Sequence, residues 1–182
     1  MAYELIRSSR KTLAIQIKNG QVIVRAPLRA SEADIHAFLL EHQAWIQKHL
    51  AQAEARQQTL SSVQKLTPED IRQLARQAVQ VIPGRVEHYA RMIGVTYGRI
   101  TIRNQRSKWG SCSSLGNLNF NCLLMLAPLE VLDSVIVHEL CHRKEMNHSQ
   151  RFYAEVLRVY PDYKHWNQWL KDNGAMLMAM MP

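Results

Sequence analysis

Alternating apolar and polar residues at the start of the chain predict short β-strands. The alternation covers residues 3–7 and 12–18, and it resumes over residues 21–25. Asn19-Gly20 stands between the last two stretches and is a strong signal for a two-residue hairpin turn. The pattern ends at Pro27. We therefore expect a hairpin or a small meander here.

A long helical repeat of apolar residues follows the strands. It runs from about residue 32 to about residue 56, and Ser31 precedes it as an N-cap. Residues 57–66 lose the repeat and are rich in Gln and Ser, which is typical of a linker or a mobile loop. We expect one domain over residues 1–182, with an N-terminal subdomain of hairpin and helix over residues 1–56.

Helix and strand signals alternate in the middle of the chain. Thr67-Pro68 is a helix start with a cap and a first-turn proline, and Pro83-Gly84 argues for a break or a kink before the helix ends at Gly94. Two strand-like stretches follow, at residues 97–103 and 117–124. In the second of them apolar residues alternate with asparagines, which fits a strand with one covered face.

Three further helices complete the pattern. The first begins near Pro128 and is apolar on nearly all sides, so we expect it to be buried. The second begins after a cap at Ser149. The last follows Pro161-Asp162, runs to about residue 171 and ends at Asn173-Gly174. These elements predict an α+β fold in which a small antiparallel sheet packs against several helices, with the apolar helix central.

The composition is that of a soluble globular protein. Hydrophobic residues make up 47% of the chain and charged residues 21%, and no window approaches the length of a membrane span. The first 11 residues lack the apolar centre of a secretory signal. Cys112, Cys122 and Cys141 leave an odd thiol under any pairing, which fits a reducing compartment. We expect a cytoplasmic protein with no membrane partner.

The chain is also basic. Its net charge of +8 and its pI near 9.7 are compatible with an anionic partner such as nucleic acid. The basic residues are dispersed along the chain, however, and no run of five or more stands out. Nucleic-acid binding therefore stays an open alternative, and the oligomeric state is not predicted.

The clearest chemical motif is His138-Glu139-x-x-His142, within the apolar helix. At about 100° per residue, His138 and His142 lie about 40° apart around the helix axis, with Glu139 beside them. Two imidazoles at that separation suit zinc, and a catalytic zinc site needs a third protein ligand and an open position. We expect His148 to be the third ligand, with Glu155 as the alternative. A metal-free pair of core histidines is the non-catalytic alternative.

His148 can reach such a metal only if the chain turns back after His142. Long zinc-protease motifs have the same histidine spacing and carry a glycine at the eighth position. Here that position is Glu145. Asn147 is the nearby residue most tolerant of the left-handed conformation, so we expect Asn147 to make the turn.

These residues together predict a hydrolytic site. Zinc held by three neutral imidazoles keeps its full charge, lowers the pKa of water towards about 7 and polarises a carbonyl oxygen. Glu139 lies beside the ligands without being one, so it can accept the proton of the water and later deliver it to a leaving amine. We expect peptide-bond hydrolysis. A small amide or other non-peptide substrate is the alternative, and a compact closed pocket would favour it.

Several other residues could support this chemistry. Acceptors for the second ring N–H of a metal-binding histidine are close in sequence: Asp133, Glu145, Glu155 and Asp162. Candidates for stabilising an oxyanion are Arg106, Lys108, Tyr153 and His165. Three tryptophans are more typical of packing than of substrate contact: Trp109, Trp166 and Trp169. The strand at residues 117–124 could hold an extended peptide by strand addition, provided that one of its edges is unpaired.

Several segments resemble the YgjP-like predicted zinc metallopeptidases. They are Arg-Ser-Lys-Trp-Gly-Ser-Cys-Ser at residues 106–113, Val-His-Glu-Leu-Cys-His at residues 137–142, and Asn-His-Ser at residues 147–149, with Phe152 shortly after. The N-terminal hairpin followed by Trp-Ile-Gln-Lys at residues 45–48 is also similar to that family. The joint pattern is much more specific than His-Glu-x-x-His alone.

The resemblance implies a single catalytic domain with a minimal zincin-like core. It also implies zinc on His138, His142 and His148, with Glu139 as the catalytic base and a peptide or protein as the substrate. The family is related to the SprT-like and WLM groups, some of whose members cleave proteins crosslinked to DNA. A DNA-associated protease is therefore a further alternative, although function follows the site and not the fold.

Overall fold

Two small sheets and six α-helices make up the computed structural model, which describes residues 2–182 of the chain. The predicted α+β class is confirmed. The chain forms two compact units, of which the first ends at Ser62 and the second runs from Val63 to Pro182. The predicted arrangement of one domain, with a subdomain over residues 1–56 and a linker over residues 57–66, remains a prediction.

The first unit contains a three-stranded sheet with the order β1-β3-β2. Its strands are β1 (Glu4–Ser8), β2 (Ala14–Lys18) and β3 (Gln21–Pro27). Strands β2 and β3 form the predicted antiparallel hairpin, and both turn residues, Asn19 and Gly20, have positive φ, at 51° and 74°. Strand β1 pairs with β3 in parallel. The predicted all-antiparallel pairing is therefore wrong for this pair.

Two helices follow in the first unit, α1 (Glu32–Glu41) and α2 (Gln43–Ser61). The predicted single helix is interrupted at His42, where φ is −100° and ψ is 12°. The His42 ring nitrogen Nδ1 lies 2.9 Å from the Phe38 carbonyl oxygen, so the side chain competes for a backbone acceptor at the break. Helix α2 ends at Ser61 and therefore includes the first residues of the Gln- and Ser-rich segment.

The first unit has its own small apolar core. Ser31 caps helix α1 as predicted and forms a reciprocal capping box with Asp34. The helices then bury one apolar side against the inner face of the sheet. The buried residues of this core are Val22, Val24, Ala26, Ile35, Leu39 and Ile46.

The second unit begins with the long helix α3 (Pro68–Ile93), which starts at the predicted cap Thr67 and ends at Gly94 with φ of 77°. Of the break or kink predicted at Pro83-Gly84, the break does not occur, because the helix continues through both residues. A continuous buried stripe holds the helix on both sides of the proline: Leu74, Ala78, Ile82, Val86, Tyr89, Ala90 and Ile93. Val79, whose carbonyl loses its helical partner to Pro83, is 59% exposed, so water can replace that partner.

The second sheet has the strand order β4-β6-β5, so β6 is central. Its strands are β4 (Ile100–Arg103), β5 (Gly110–Cys112) and β6 (Leu118–Asn121). Strand β6 pairs in parallel with β4 and antiparallel with β5, so this sheet is also mixed. The prediction of peptide binding at residues 117–124 is wrong, because both edges of that strand are already paired. The edge strand next to it is β5.

Helix α4 (Leu129–Cys141) carries His138, has His142 as its C-cap and is the centre of the second unit. It packs against α3, α5 (Gln150–Val159), α6 (Tyr163–Ala179) and strand β5. Every residue from 131 to 137 is buried, as its apolar sequence predicts. Among residues 2–182, no helix combines the length and apolar character needed to span a bilayer.

Helix α6 passes through Asn173-Gly174, so the predicted end at that position is wrong. A Cβ atom on Gly174 would lie 3.1 Å from Cζ2 of Trp109. The glycine therefore serves a close approach between the helix and the tryptophan, and not a helix cap. This contact also holds the indole of Trp109 in place, directly before strand β5.

Candidate metal centre

Three imidazoles converge beside helix α4. The candidate ligand atoms of His138, His142 and His148 all lie within 4.8 Å of one another, and Nε2 of His138 is 3.0 Å from Nε2 of His148. Two nitrogens bound to one tetrahedral zinc are separated by about 3.3 Å. The donor type and spacing therefore fit a zinc ion, and the role of these residues as ligands remains a prediction.

The turn that returns His148 to the cluster differs from the predicted one. Among residues 2–182, Asn19 is the only non-glycine residue with positive φ, so Asn147 does not adopt the left-handed conformation. Instead the chain closes tightly after helix α4: the N–H groups of Lys144 and Glu145 both donate to the carbonyl oxygen of Cys141, each at 3.0 Å. Glycine is not needed at position 145, because Glu145 is not among the residues with positive φ.

Two of the three histidine rings are oriented by a hydrogen bond at Nδ1. Nδ1 of His142 lies 3.1 Å from the backbone oxygen of Glu145, and Nδ1 of His138 lies 2.8 Å from the hydroxyl of Tyr163. A carbonyl oxygen can only accept, so the proton of His142 must sit on Nδ1. Both contacts leave Nε2 of the ring free to bind a metal.

Among the described residues, none of the four carboxylates predicted as partners hydrogen-bonds to a histidine of the cluster: Asp133, Glu145, Glu155 and Asp162. The Asp133 carboxylate accepts hydrogen bonds from the guanidinium of Arg85 and, at 3.1 Å, from the hydroxyl of Tyr89. This buried pairing joins helices α3 and α4. Glu145 contributes its backbone oxygen and not its carboxylate. Tyr163 was missed in the sequence because it lies 25 residues from His138, beyond the reach of any local pattern.

Glu155, the predicted alternative ligand, lies outside the histidine cluster. Its carboxylate pairs with Arg158 at 2.7 Å and with Lys144 at 2.5 Å. Arg158, and then Lys144, lower the pKa of Glu155 to about 2. Because Lys144 belongs to the turn after helix α4, this pairing ties the turn to helix α5. The structure therefore gives Glu155 a role in holding the turn.

Burial sets the protonation of the cluster. It lowers the pKa of His138 to about 4, and the neighbouring His142 and His148 act in the same direction. It also lowers the pKa of His142. Near neutral pH both rings are therefore neutral, which is the form that binds a metal. The same burial raises the pKa of Glu139 to about 7, against the opposing influence of Lys108.

Phe152 forms an apolar base beneath the cluster. Its ring centroid lies 4.9 Å from that of His138, 4.6 Å from that of His142 and 4.9 Å from that of His148. The side chain is fully buried. Ser149 caps helix α5 and accepts a hydrogen bond from the backbone N–H of Phe152, which fixes the ring four residues after His148.

Two open cavities border Glu139, with volumes of about 240 and 280 Å³. Lys108, Gly110, His138 and Glu139 line both of them. The smaller cavity is otherwise lined mainly by buried or half-buried side chains: Trp109, Ser134, Val135, Tyr163, Asn167 and Leu170. The larger one is completed by Ser111, Cys112, His142, Met146 and His148.

The remaining sequence candidates divide into near and distant groups. Lys108 lines both cavities, and the ring of Tyr153 stacks near His148 with 6.2 Å between centroids. Arg106 donates to the backbone oxygen of Pro182, and His165 packs on Trp166. Trp166 and Trp169 pack against the core, whereas Trp109 also borders the smaller cavity. Of these candidates, Lys108 borders both cavities and Tyr153 lies beside His148, while the others lie elsewhere.

Removing the hydroxyl of Tyr163 is expected to weaken metal binding. Without it Nδ1 of His138 has no protein acceptor, and loss of such a partner typically reduces metal affinity about 10–100-fold. We therefore expect Tyr163→Phe to reduce zinc affinity by that factor, measured by competition with a chromophoric chelator. Tyr160→Phe is the matched control, because the Tyr160 hydroxyl donates to Glu130 away from the cluster. Equal affinities in the two variants would refute the orienting role.

Comparison with known proteins identifies a family, and solved structures are among the matches. No curated protein matches this chain. The metallopeptidase zymogen of Pyrococcus abyssi abylysin is 21% identical, with a TM-score of 0.46, over 50% of this chain and 94% of that one. The metallopeptidase zymogen of Methanocaldococcus jannaschii jannalysin is 24% identical, with a TM-score of 0.45, over 50% and 95%.

The family match covers most of the chain and includes the histidine cluster. A family model described as YgjP-like, metallopeptidase domain, matches residues 11–72 and 61–173. The second match spans the motif at residues 106–113, all three histidines and Phe152. The chain therefore belongs to the YgjP-like metallopeptidase family.

Proposed function

We propose that this protein is a zinc-dependent peptidase, with zinc on His138, His142 and His148 and with Glu139 as the general base. The observation that carries the proposal is the convergence of three imidazole nitrogens, within 4.8 Å of one another, in a cavity that Glu139 also lines. Membership of a metallopeptidase family supports a hydrolase with a metal ion. The identity of the metal as zinc and the role of each residue go beyond family membership and are part of the proposal.

The donor set favours a catalytic zinc over a structural one. Structural sites usually close the metal with four protein ligands, often cysteines, whereas catalytic sites have three and leave one position open. Among residues 2–182, the group contains three histidines and no fourth histidine, cysteine or carboxylate. A zinc ion bound there would supply Lewis-acid chemistry, acidifying water and polarising a carbonyl oxygen.

Glu139 is suited to move a proton between water and the leaving amine. Its side chain is 7% exposed, and it shares both cavities with His138. A pKa near 7 lets the carboxylate oxygens accept a proton and release it again near neutral pH. A nearby dication favours the ionised form, which is the form that a base needs. Glu139 is therefore assigned to proton transfer and not to metal binding.

The shape of the site favours a peptide over a small molecule. A compact closed pocket would favour a small molecule, whereas the two cavities here, of about 240 and 280 Å³, are open. Because both cavities border Glu139, they suit the side chains next to a scissile bond. Strand β5 borders the site and is paired only with β6, so its outer edge can pair with an extended chain.

The other predictions from the sequence have narrower support. Nucleic-acid association rests only on the net charge of +8 and on the implied relation to the SprT-like and WLM groups, so we do not propose it. A cytoplasmic location remains a prediction, supported by the three unpaired thiols Cys112, Cys122 and Cys141.

Cleavage of an unfolded-protein mixture tests the proposed function. We expect new peptide termini, identified by mass spectrometry, with the zinc-loaded protein, their loss after chelation and their return when zinc is restored. A panel of small amides run in parallel tests the alternative substrate class. Turnover of the small amides without any peptide cleavage would contradict the assignment as a peptidase.

A further inference from the structure

Gly110 lies in the edge strand β5, directly against the side chain of Glu139. A Cβ atom at position 110 would be 2.7 Å from both Cγ and Oε1 of Glu139 and 3.0 Å from Cδ. Carbon atoms do not approach so closely without movement of one partner. The glutamate side chain therefore occupies the space that any other residue at position 110 would fill.

Backbone conformation does not explain this glycine. The glycines with positive φ are Gly20, Gly94 and Gly116, and Gly110 is not among them. The φ of Gly110 is thus compatible with other residues, and only the missing side chain distinguishes it. Space for Glu139 is the physical requirement at this position.

Neither the backbone of strand β5 nor that of helix α4 can move away to relieve this contact. Strand β5 is held in register with the central strand, with Gly110 opposite Phe120 and Cys112 opposite Leu118, and both partners on β6 are buried. On the other side, helix α4 is buried along most of its length. The atoms that can yield are the end of the Glu139 side chain. A methyl group at position 110 should therefore displace the carboxylate while leaving the fold intact.

We propose that Gly110 is a positioning residue for Glu139, and that strand β5 holds the carboxylate at the place where it must take its proton. This inference rests on the proposed function of Glu139 as the general base. A displacement of about 1 Å in a catalytic group can cost about 100-fold in rate. The methyl group of alanine demands a shift of that order, because the unrelieved contact is 2.7 Å.

The first test compares Gly110→Ala with Gly84→Ala. No atom lies within 4 Å of a Cβ built on Gly84, which makes it a matched control in the same unit. We expect Gly110→Ala to lower kcat about 100-fold, with KM, zinc content and Tm close to those of the wild type. Full activity in this variant, or loss of zinc or of folding, would overturn the positioning role. Gly84→Ala should be fully active.

A second test removes the side chain that the new methyl group would meet. Glu139→Ala lacks Cγ, Cδ and Oε1, the three atoms that lie within 3.0 Å of a Cβ at position 110. In single-turnover assays we expect Gly110→Ala to cost much less of the residual activity in the Glu139→Ala background than it costs in the wild type, which is a non-additive result. An equal loss of activity in both backgrounds would show a general structural effect and contradict the proposal.

These results are separable from failure of the proposed function. Wild-type turnover in Glu139→Gln would refute Glu139 as the base, and with it the proposed mechanism. An inactive Glu139→Gln together with a fully active Gly110→Ala would leave the mechanism standing and refute only the role of Gly110.

Discussion

Replacing His148 with alanine is expected to lower zinc affinity by more than about 100-fold. Loss of residues that only orient a ligand costs about 10–100-fold, so loss of a direct ligand should exceed that range. Nε2 of His148 lies 3.0 Å from Nε2 of His138, a separation that suits binding of one metal ion by both. Zinc affinity is measured by competition with a chelator of known strength, and the protein fold is checked by circular dichroism.

Two controls accompany the His148 variant. His88→Ala removes an exposed imidazole from helix α3 and should leave zinc affinity unchanged. Glu155→Gln removes the charge of the alternative ligand, which the structure pairs with Lys144 and Arg158, and should cost only a small part of the affinity. Zinc loss in Glu155→Gln with retention in His148→Ala would reverse the assignment.

Phe152→Ala is expected to destabilise the metal-free protein by about 3–5 kcal/mol, the range for truncating a buried phenylalanine. The ring is fully buried and touches all three imidazoles, so its loss also removes the base on which the ligands rest. The free energy of unfolding is measured in urea with a chelator present, and zinc affinity is measured separately.

The control for this variant is Phe152→Leu, which restores much of the apolar volume. We expect Phe152→Leu to recover most of the stability but only part of the zinc affinity, because a leucine does not present a flat face to the imidazoles. A destabilisation below about 1 kcal/mol in Phe152→Ala would contradict the packing described for the cluster.

Local signals in the sequence predicted the elements well where the deciding contacts are also local. The hairpin at Asn19-Gly20 needs positive φ at both residues, and the caps at Ser31, Thr67 and Ser149 bind N–H groups only three residues away. Such features depend on neighbours along the chain. Their prediction therefore did not require knowledge of the fold.

The same local signals gave wrong predictions where contacts between residues far apart in the sequence determine the structure. Pro83 stays within helix α3 because the buried stripe on both sides of it holds the helix. Gly174 stays within helix α6 because it accommodates Trp109, which is far away in sequence. The central place of strand β6 and its parallel pairing with β4 depend on the order of strands in the sheet. Propensity gives no information about any of these contacts.

Local sequence patterns likewise predicted some features of the candidate site and missed others. The spacing within His138-Glu139-x-x-His142 predicts a shared helix face, and the structure places both histidines with His148 in one cluster. Tyr163 and Gly110 reach the site from α6 and β5, so no periodicity could reveal them. The turn before His148 was wrongly predicted, because backbone hydrogen bonds to the end of helix α4 make it unnecessary for Asn147 to adopt positive φ.

Turnover and zinc content of Glu139→Gln, measured beside the wild type on an unfolded-protein substrate, test the central claim most directly. The variant keeps the size of the side chain but removes its ability to accept a proton. We expect zinc stoichiometry and affinity to match the wild type, while kcat falls by about 100- to 10,000-fold, the usual contribution of a general base. Loss of zinc in this variant, or turnover equal to the wild type, would contradict the assignment of Glu139 as the base of a metallopeptidase.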